Sequence, residues 1–154
     1  MQEKNITNKG LQAQAVFLTA MTDFGNEVIH FHPEVKISED VDHELSLKTM
    51  PMACKDGDMV ITLIDEFQAV CVTRLIPNFE EDSMKQETFA TLGLLIPQDT
   101  NPVPYYKMLS NLLERFEKEG KLTKDVLVKS IPNIYNKLNQ QVASSKLPKL
   151  PKFT

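Results

Sequence analysis

The chain has 154 residues, of which 42% are hydrophobic and 25% charged, and its formal net charge is −4. This length and composition are typical of one soluble globular domain that folds without disulfides or a structural metal. The negative charge argues against nucleic acid as the main partner, and no apolar run approaches the roughly 20 residues that span a bilayer. Cys54 and Cys71 lack the spacing of a disulfide framework, and the polar N-terminus is unlike a signal peptide, so we expect a cytoplasmic protein.

The composition changes along the chain and predicts three parts. Residues 1–12 are polar and lack periodicity, which predicts a flexible arm; residues 13–140 form the domain; and residues 141–154, rich in Lys and Pro, predict a flexible tail. Every acidic residue lies at or before Asp125, and five lysines follow it, so the C-terminal end is basic and the rest of the chain acidic.

The first predicted elements are two strands joined by a turn. Residues 13–21 are apolar on both faces, which favours a central strand, and residues 27–32 form the second strand before Pro33. Residues 23–26 contain Gly and Asn, which tolerate the positive φ of a turn. Alternation along the second strand predicts Val28, His30 and His32 on one face, and Ile29 and Phe31 on the other.

A helix and three further strands are predicted next. The helix begins after Ser38 as N-cap and stops at Pro51. The strands cover residues 59–64, 67–76 and 87–96, with an acidic loop at 77–83. The predicted buried stripe of the helix consists of Val41, Leu45, Leu47 and Met50.

Two amphipathic helices close the domain. The first follows Asn101-Pro102 and ends at Gly120, with an apolar stripe at Tyr105, Leu109, Leu112 and Phe116. The second follows the cap residue Thr123, with a stripe at Leu127, Ile131, Ile134 and Leu138. Pro132 lies within this stripe and predicts a kink or a break. The order ββαβββαα predicts an α/β protein of the α+β type, in which a mostly antiparallel five-stranded sheet packs with helices in two or three layers.

The residues that carry chemistry do not form a recognisable catalytic constellation in the sequence. His30 and His32 resemble a metal pair, but zinc needs further ligands, for which only His43 and Cys54 are candidates without diagnostic spacing. The alternative is a histidine pair on an edge strand or partly buried. Cys71, within an apolar strand, is interpreted as a buried structural thiol. No glycine loop for phosphate is present, and no cofactor is predicted.

Several stretches together resemble the longin fold, and in particular the longin domains of nitrogen-permease-regulator-2-like and DENN-type proteins. The first match is residues 16–19 with 24–29, followed by Pro33-Glu34 and Ile37-Ser38. The others are residues 60–62, 69–72 and 89–95, with a helix after Pro104-Tyr105. The resemblance covers about residues 13–140 and departs from the family at the turn, where Gly25-Asn26 replaces Gly-Pro.

The resemblance implies a non-catalytic scaffold or adaptor in small-GTPase regulation or membrane trafficking. Its implied partners are a small GTPase, or another longin or roadblock domain in a homo- or heterodimer, with membrane contact at most peripheral. In members that activate GTPases, a finger arginine precedes the fifth strand; here that position is Lys85, which lacks the planar fork of arginine, so GTPase activation is not expected.

The candidate partner-binding residues are Lys85, Phe79 in the acidic loop, and Pro148 and Pro151 of a P-x-x-P segment in the tail. Polyproline modules bind such segments, although a solvated tail is the alternative. Two other functions remain open. One is a roadblock- or profilin-like binding module, and the other is a small-molecule or metal-binding protein that uses His30 and His32.

Overall fold

Five antiparallel strands form a single sheet in the computed structural model, which describes residues 13–33, 39–50, 54–80 and 84–146, with side chains up to residue 139. The strand order is β2-β1-β5-β4-β3, so β2 and β3 are the edge strands and β1 lies inside, as predicted. This sheet with three helices confirms the α+β class. The strands are β1 (Ala15–Thr22), β2 (Gly25–His32), β3 (Met59–Ile64), β4 (Phe67–Pro77) and β5 (Glu87–Pro97).

The helices lie on both faces of the sheet and make three layers. Helix α1 (Glu39–Lys48) buries Leu45 on the face that carries Phe17. Helices α2 (Val103–Lys118) and α3 (Lys124–Lys146) cover the opposite face, where their apolar stripes pack on Leu18 and the other side chains of the larger core. Both faces of β1 are therefore buried, which explains its continuous apolar sequence.

The boundaries of α2 and α3 lie at or near the residues that the sequence predicts for them. Asn101 Oδ1 accepts a hydrogen bond of 3.1 Å from the Val103 amide at the start of α2. Gly120 adopts φ +70°, which lets the Lys121 amide donate to Phe116 O at 2.8 Å. Thr123 Oγ1 accepts from the Val126 amide at 3.3 Å and caps α3. The cap predicted at Ser38 and the stop at Pro51 lie outside the described residues.

Helix α3 does not break at Pro132, contrary to one of the two predicted outcomes. It continues for 23 residues, from Lys124 to Lys146, with the proline inside it. Leu127, Ile131, Ile134 and Leu138 are buried on both sides of Pro132, and this packing outweighs the lost backbone hydrogen bond. Because α3 reaches Lys146, the first residues of the predicted tail belong to the helix; residues 147–154 lie outside the described residues.

The predicted faces of β2 are wrong at Val28 and at Ile29. Leu18 of β1 pairs with His30, but the next residue, Thr19, pairs with Val28, so Ile29 forms a β-bulge. The extra residue reverses the alternation, and Val28 joins Phe31 on the α1 face. His30 and His32 remain opposite Leu18 and Val16 on the other face, which Ile29 also contacts.

The predicted stripe of α1 is wrong at Leu47, whose side chain is 63% exposed. Leu47 follows the buried Leu45 by two residues, and positions two apart lie on nearly opposite sides of a helix. Val41 packs beside Leu45 in the core of this face, and Met50 is buried after the helix ends. The predicted burial is confirmed for Leu45 and Met50, and Val41 is partly buried.

Candidate interaction surface

One face of the edge strand β3 carries an uncovered row of large apolar side chains, which we call the β3 strip: Met59, Ile61 and Leu63. Their exposed fractions are 47%, 42% and 57%. Alternate residues of a strand project to the same side, so the three side chains form one continuous apolar surface. On the opposite face of β3, Val60 and Ile64 join the core cluster beneath α1.

The pairing of β3 with β4 explains why the strip is uncovered. Met59 pairs with Val72 and Ile61 with Val70, and both valines are buried in the core beneath α2 and α3. The strip therefore lies on the same face as these helices. However, α2 packs on β4 and β5, and α3 packs on β1 and β2, so the strip lies beyond the edge of the helical layer.

The two edges of the sheet differ in the part of the chain that the structure describes. Seven large apolar side chains are exposed there, of which three belong to β3 and none to β2. Strand β2 packs against both α1 and α3, and the ring of His32 meets Tyr135 edge to face at 5.0 Å. An edge strand offers backbone donors and acceptors for pairing, and only β3 combines these with exposed apolar side chains.

A lysine lies at one end of the β3 edge. Lys48, the last residue of α1, donates from Nζ to Leu63 O at 3.1 Å and to Glu44 Oε2 at 2.8 Å. This ion pair lowers the pKa of the Glu44 carboxyl. Lys48 therefore occupies a backbone acceptor at this end of β3.

Lys85 and Phe79 both lie in the connection between β4 and β5, where the Asn78 amide donates to Gln86 O at 2.9 Å. Lys85 is exposed. Phe79 is half-buried against the larger core, and Lys124 Nζ lies 5.4 Å from the centroid of its ring. Phe79 therefore anchors this connection to the start of α3, whereas Lys85 faces solvent. Pro148 and Pro151 lie outside the described residues.

The candidate metal residues do not form a site in the described residues. His30 and His32 are half-buried on the edge strand β2, which is the alternative considered for them. Within the described ranges, no three His, Cys, Asp or Glu side chains are placed to hold a metal ion together. Burial raises the pKa of the Cys71 thiol, and burial and Asp58 raise that of Cys54, so neither cysteine is an activated thiolate.

Arg74 joins three elements through an ion-pair cluster that the sequence did not indicate. Its side chain is 11% exposed and donates to Asp56 Oδ1 at 2.8 Å and to Glu117 Oε1 at 2.5 Å. Burial lowers the pKa of Arg74, but these two carboxylates outweigh it, so the pKa lies above its ordinary value. The cluster ties β4 to the loop before β3 and to the end of α2, and so holds β3 in place.

The β3 strip was not identified from the sequence. Residues 59–64 are apolar on both faces, a pattern that predicts a strand covered on both sides. Which face is left open depends on where α2 packs after β5, and this is a long-range property. The only local sign of an exposed apolar row in the sequence is that β3 is a short strand and that neither of its faces is polar.

No protein-family model matches the chain, and no curated protein matches its sequence. No helix among the described residues has the length and apolar character needed to cross a membrane. The geometry of the described residues is therefore the basis for assigning a function.

Proposed function

We propose that the chain is a non-catalytic binding scaffold that pairs through β3 with a second copy of itself. The observation that carries this proposal is the β3 strip: an edge strand whose apolar side chains Met59, Ile61 and Leu63 are exposed beside the helical layer. A second edge strand would extend the sheet, and its own apolar row would then lie beside this row and contact it across the pair. In a dimer with two-fold symmetry, both copies contribute the same strip to the interface. Such dimers are the commonest soluble oligomers.

The proposal extends to the setting that the sequence resemblance implies. A paired longin-type scaffold would act in the cytoplasm in small-GTPase regulation or membrane trafficking, with membrane contact only through partners. Support for this setting comes from the order ββαβββαα and from the quoted sequence stretches. Lysine at position 85 supports binding rather than GTPase activation, because lysine lacks the bidentate fork of arginine.

The pairing is tested by the mass of the chain in solution and one substitution. Analytical ultracentrifugation of the wild-type chain should give a species of twice 17.5 kDa that dissociates on dilution. Ile61→Lys should give the monomer, because a charged side chain would replace an apolar one in the contact between the two rows. Phe24→Lys is the matched control, since Phe24 is 91% exposed in the turn before β2, next to the opposite edge strand.

A monomer at all concentrations, or a dimer that survives Ile61→Lys but not Phe24→Lys, contradicts pairing through β3. The GTPase setting has its own test, which is capture of purified small GTPases by the immobilised chain in both nucleotide states. Binding in one nucleotide state only is expected. If no GTPase binds in either nucleotide state, the proposed role in small-GTPase regulation is wrong, even if the chain forms the dimer.

A further inference from the structure

A second surface of different character lies between α2 and α3. The two helices enclose an open groove of about 1140 Å³. On α2, Met108 and Leu112 each precede by one residue a side chain that is buried against the sheet, Leu109 or Leu113, so this part of the floor faces sideways from the core. The floor is apolar and is formed by Met108, Leu112, Phe116, Ile134 and Leu138.

The rim of the groove is basic. Arg115 borders it on α2, Lys121 at the closed end, and Lys129 and Lys137 on α3. The two α3 lysines are eight residues apart, which places them on one face about 12 Å from each other. Glu119 is the only carboxylate that lines the described groove, so its net charge is +4 − 1 = +3, in a chain of net charge −4.

The rim cations are largely unneutralised within the described part of the chain. Lys121 lies 3.8 Å from Glu119, whereas Arg115, Lys129 and Lys137 make no ion pair with a described side chain. All four cations are exposed, and the Arg115 guanidinium lies 5.9 Å from the centroid of the Phe116 ring. The groove therefore offers an apolar floor together with positive charge that is free to bind an acidic partner.

We propose that this groove binds an acidic amphipathic helix of a partner protein. Its volume exceeds the roughly 300–1,000 Å³ of pockets that hold small molecules, and it is open along one side. Apolar residues at i, i+3, i+4 and i+7 of a helix would contact the floor. Aspartates and glutamates that flank them would reach Arg115, Lys129 and Lys137. The binding of one more helix would complete the packing of α2 and α3.

Two other occupants fit the groove less well. Residues 147–154, which follow α3, contain Lys149 and Lys152 and no acidic side chain, so their charge opposes the rim. An anionic bilayer would meet the exposed lysines first, and its flat surface would not reach a floor recessed between two helices. Charge and shape together favour a partner helix.

The proposal is tested by the affinity of the full chain for a designed peptide. The probe is a fluorescein-labelled helix of about 18 residues with Leu at i, i+4, i+7 and i+11 and Glu on the flanking positions. Its control has Lys in place of each Glu. By fluorescence anisotropy, the Glu peptide should bind at least about tenfold more tightly than the Lys peptide, and less tightly as salt is raised.

Substitutions of the rim locate the binding site. Lys129→Glu combined with Lys137→Glu should weaken binding of the Glu peptide at least about tenfold, because two attractive contacts become repulsive. Lys107→Glu combined with Lys118→Glu makes the same charge change on exposed residues of α2 that do not line the groove, and should change affinity less than about twofold. Circular dichroism during heating checks that both variants fold.

Four results would overturn the proposal. They are no binding of the Glu peptide, equal binding of the two peptides, equal weakening by the two pairs of substitutions, and preferential binding of a synthetic peptide of residues 147–154. Phosphatidylserine vesicles that bind the chain through Lys129 and Lys137, when the Glu peptide does not, would identify a membrane surface instead. Ile61 lies outside the groove, so the effect of Ile61→Lys on the pairing of two chains through β3 is independent of these results.

Discussion

Gly93 shows how a single residue determines the packing of the α1 face. It lies in β5 opposite Phe17 of β1 and Cys71 of β4. A Cβ atom at this position would lie 2.8 Å from Cys71 Sγ and still closer to the ring of Phe17, which stacks on Phe31 at a centroid distance of 6.4 Å. The absence of a side chain therefore makes room for the Phe17 ring.

We predict that Gly93→Ala destabilises the protein by about 1–3 kcal/mol, because the ring and the thiol must move within a buried cluster. Urea unfolding followed by circular dichroism measures the change. As a control, Gly93→Ala is also made in the Phe17→Leu variant, in which the shorter leucine side chain leaves room for the new methyl group. In that background Gly93→Ala should cost clearly less, and purely additive effects of the two substitutions would contradict the steric explanation.

A glycine inside a strand indicates a close approach, but the sequence does not say of which residue. The register of β1 and β4 against β5 identifies Phe17 and Cys71. The same limit applies to Asn26, which was predicted only as a turn residue. Its Nδ2 donates to Ser46 O at 2.6 Å and so holds the end of α1 against β2.

Among the elements, the strands were more predictable than their faces. Residues 59–64 are apolar and bounded by Asp and Gly, and β3 has the predicted ends. The bulge at Ile29 could not be predicted, because it depends on how β2 pairs with β1. The continuity of α3 through Pro132 likewise depends on burial against the sheet rather than on helix propensity.

The Arg74 cluster connects elements that are far apart in the chain, and its effect depends on pH. Partial burial raises the pKa of Asp56, but the Leu75 amide at 2.9 Å and the Arg74 guanidinium outweigh it, so the pKa is below its ordinary value. A folded-state pKa below the unfolded one stabilises the protein above the unfolded value of about 3.9. This contribution is lost as the pH falls through the folded-state pKa.

We predict that Asp56→Asn lowers the free energy of unfolding at neutral pH by about 0.5–1 kcal/mol, a modest value because the Asp56 side chain is 47% exposed. Its stability should also fall less steeply than that of the wild type below about pH 4. Urea unfolding at several pH values measures both effects. Asp99→Asn, at an exposed position before α2, is the charge-matched control and should lower the free energy of unfolding less than Asp56→Asn does. Identical pH profiles for wild type and Asp56→Asn would contradict this role.

At the scale of the whole molecule, the described part of the chain presents two unlike surfaces. The β3 strip is apolar and continues into the edge of the sheet, whereas the groove between α2 and α3 combines an apolar floor with a basic rim. The asymmetry of charge along the sequence indicated that the C-terminal part is basic. It did not indicate that Lys129 and Lys137 border a groove, because this depends on how α2 and α3 pack side by side.

The central claim is that β3 is the edge through which the chain pairs with a second copy, and the opposite edge strand β2 provides an internal control. The most direct measurement is amide hydrogen exchange of the full chain at increasing protein concentration. We predict that the amides of β3 that do not bond to β4 gain protection as dimers form, while exchange in β2 stays constant. Exchange that is independent of concentration in β3, or protection that appears in β2 instead, would contradict the account.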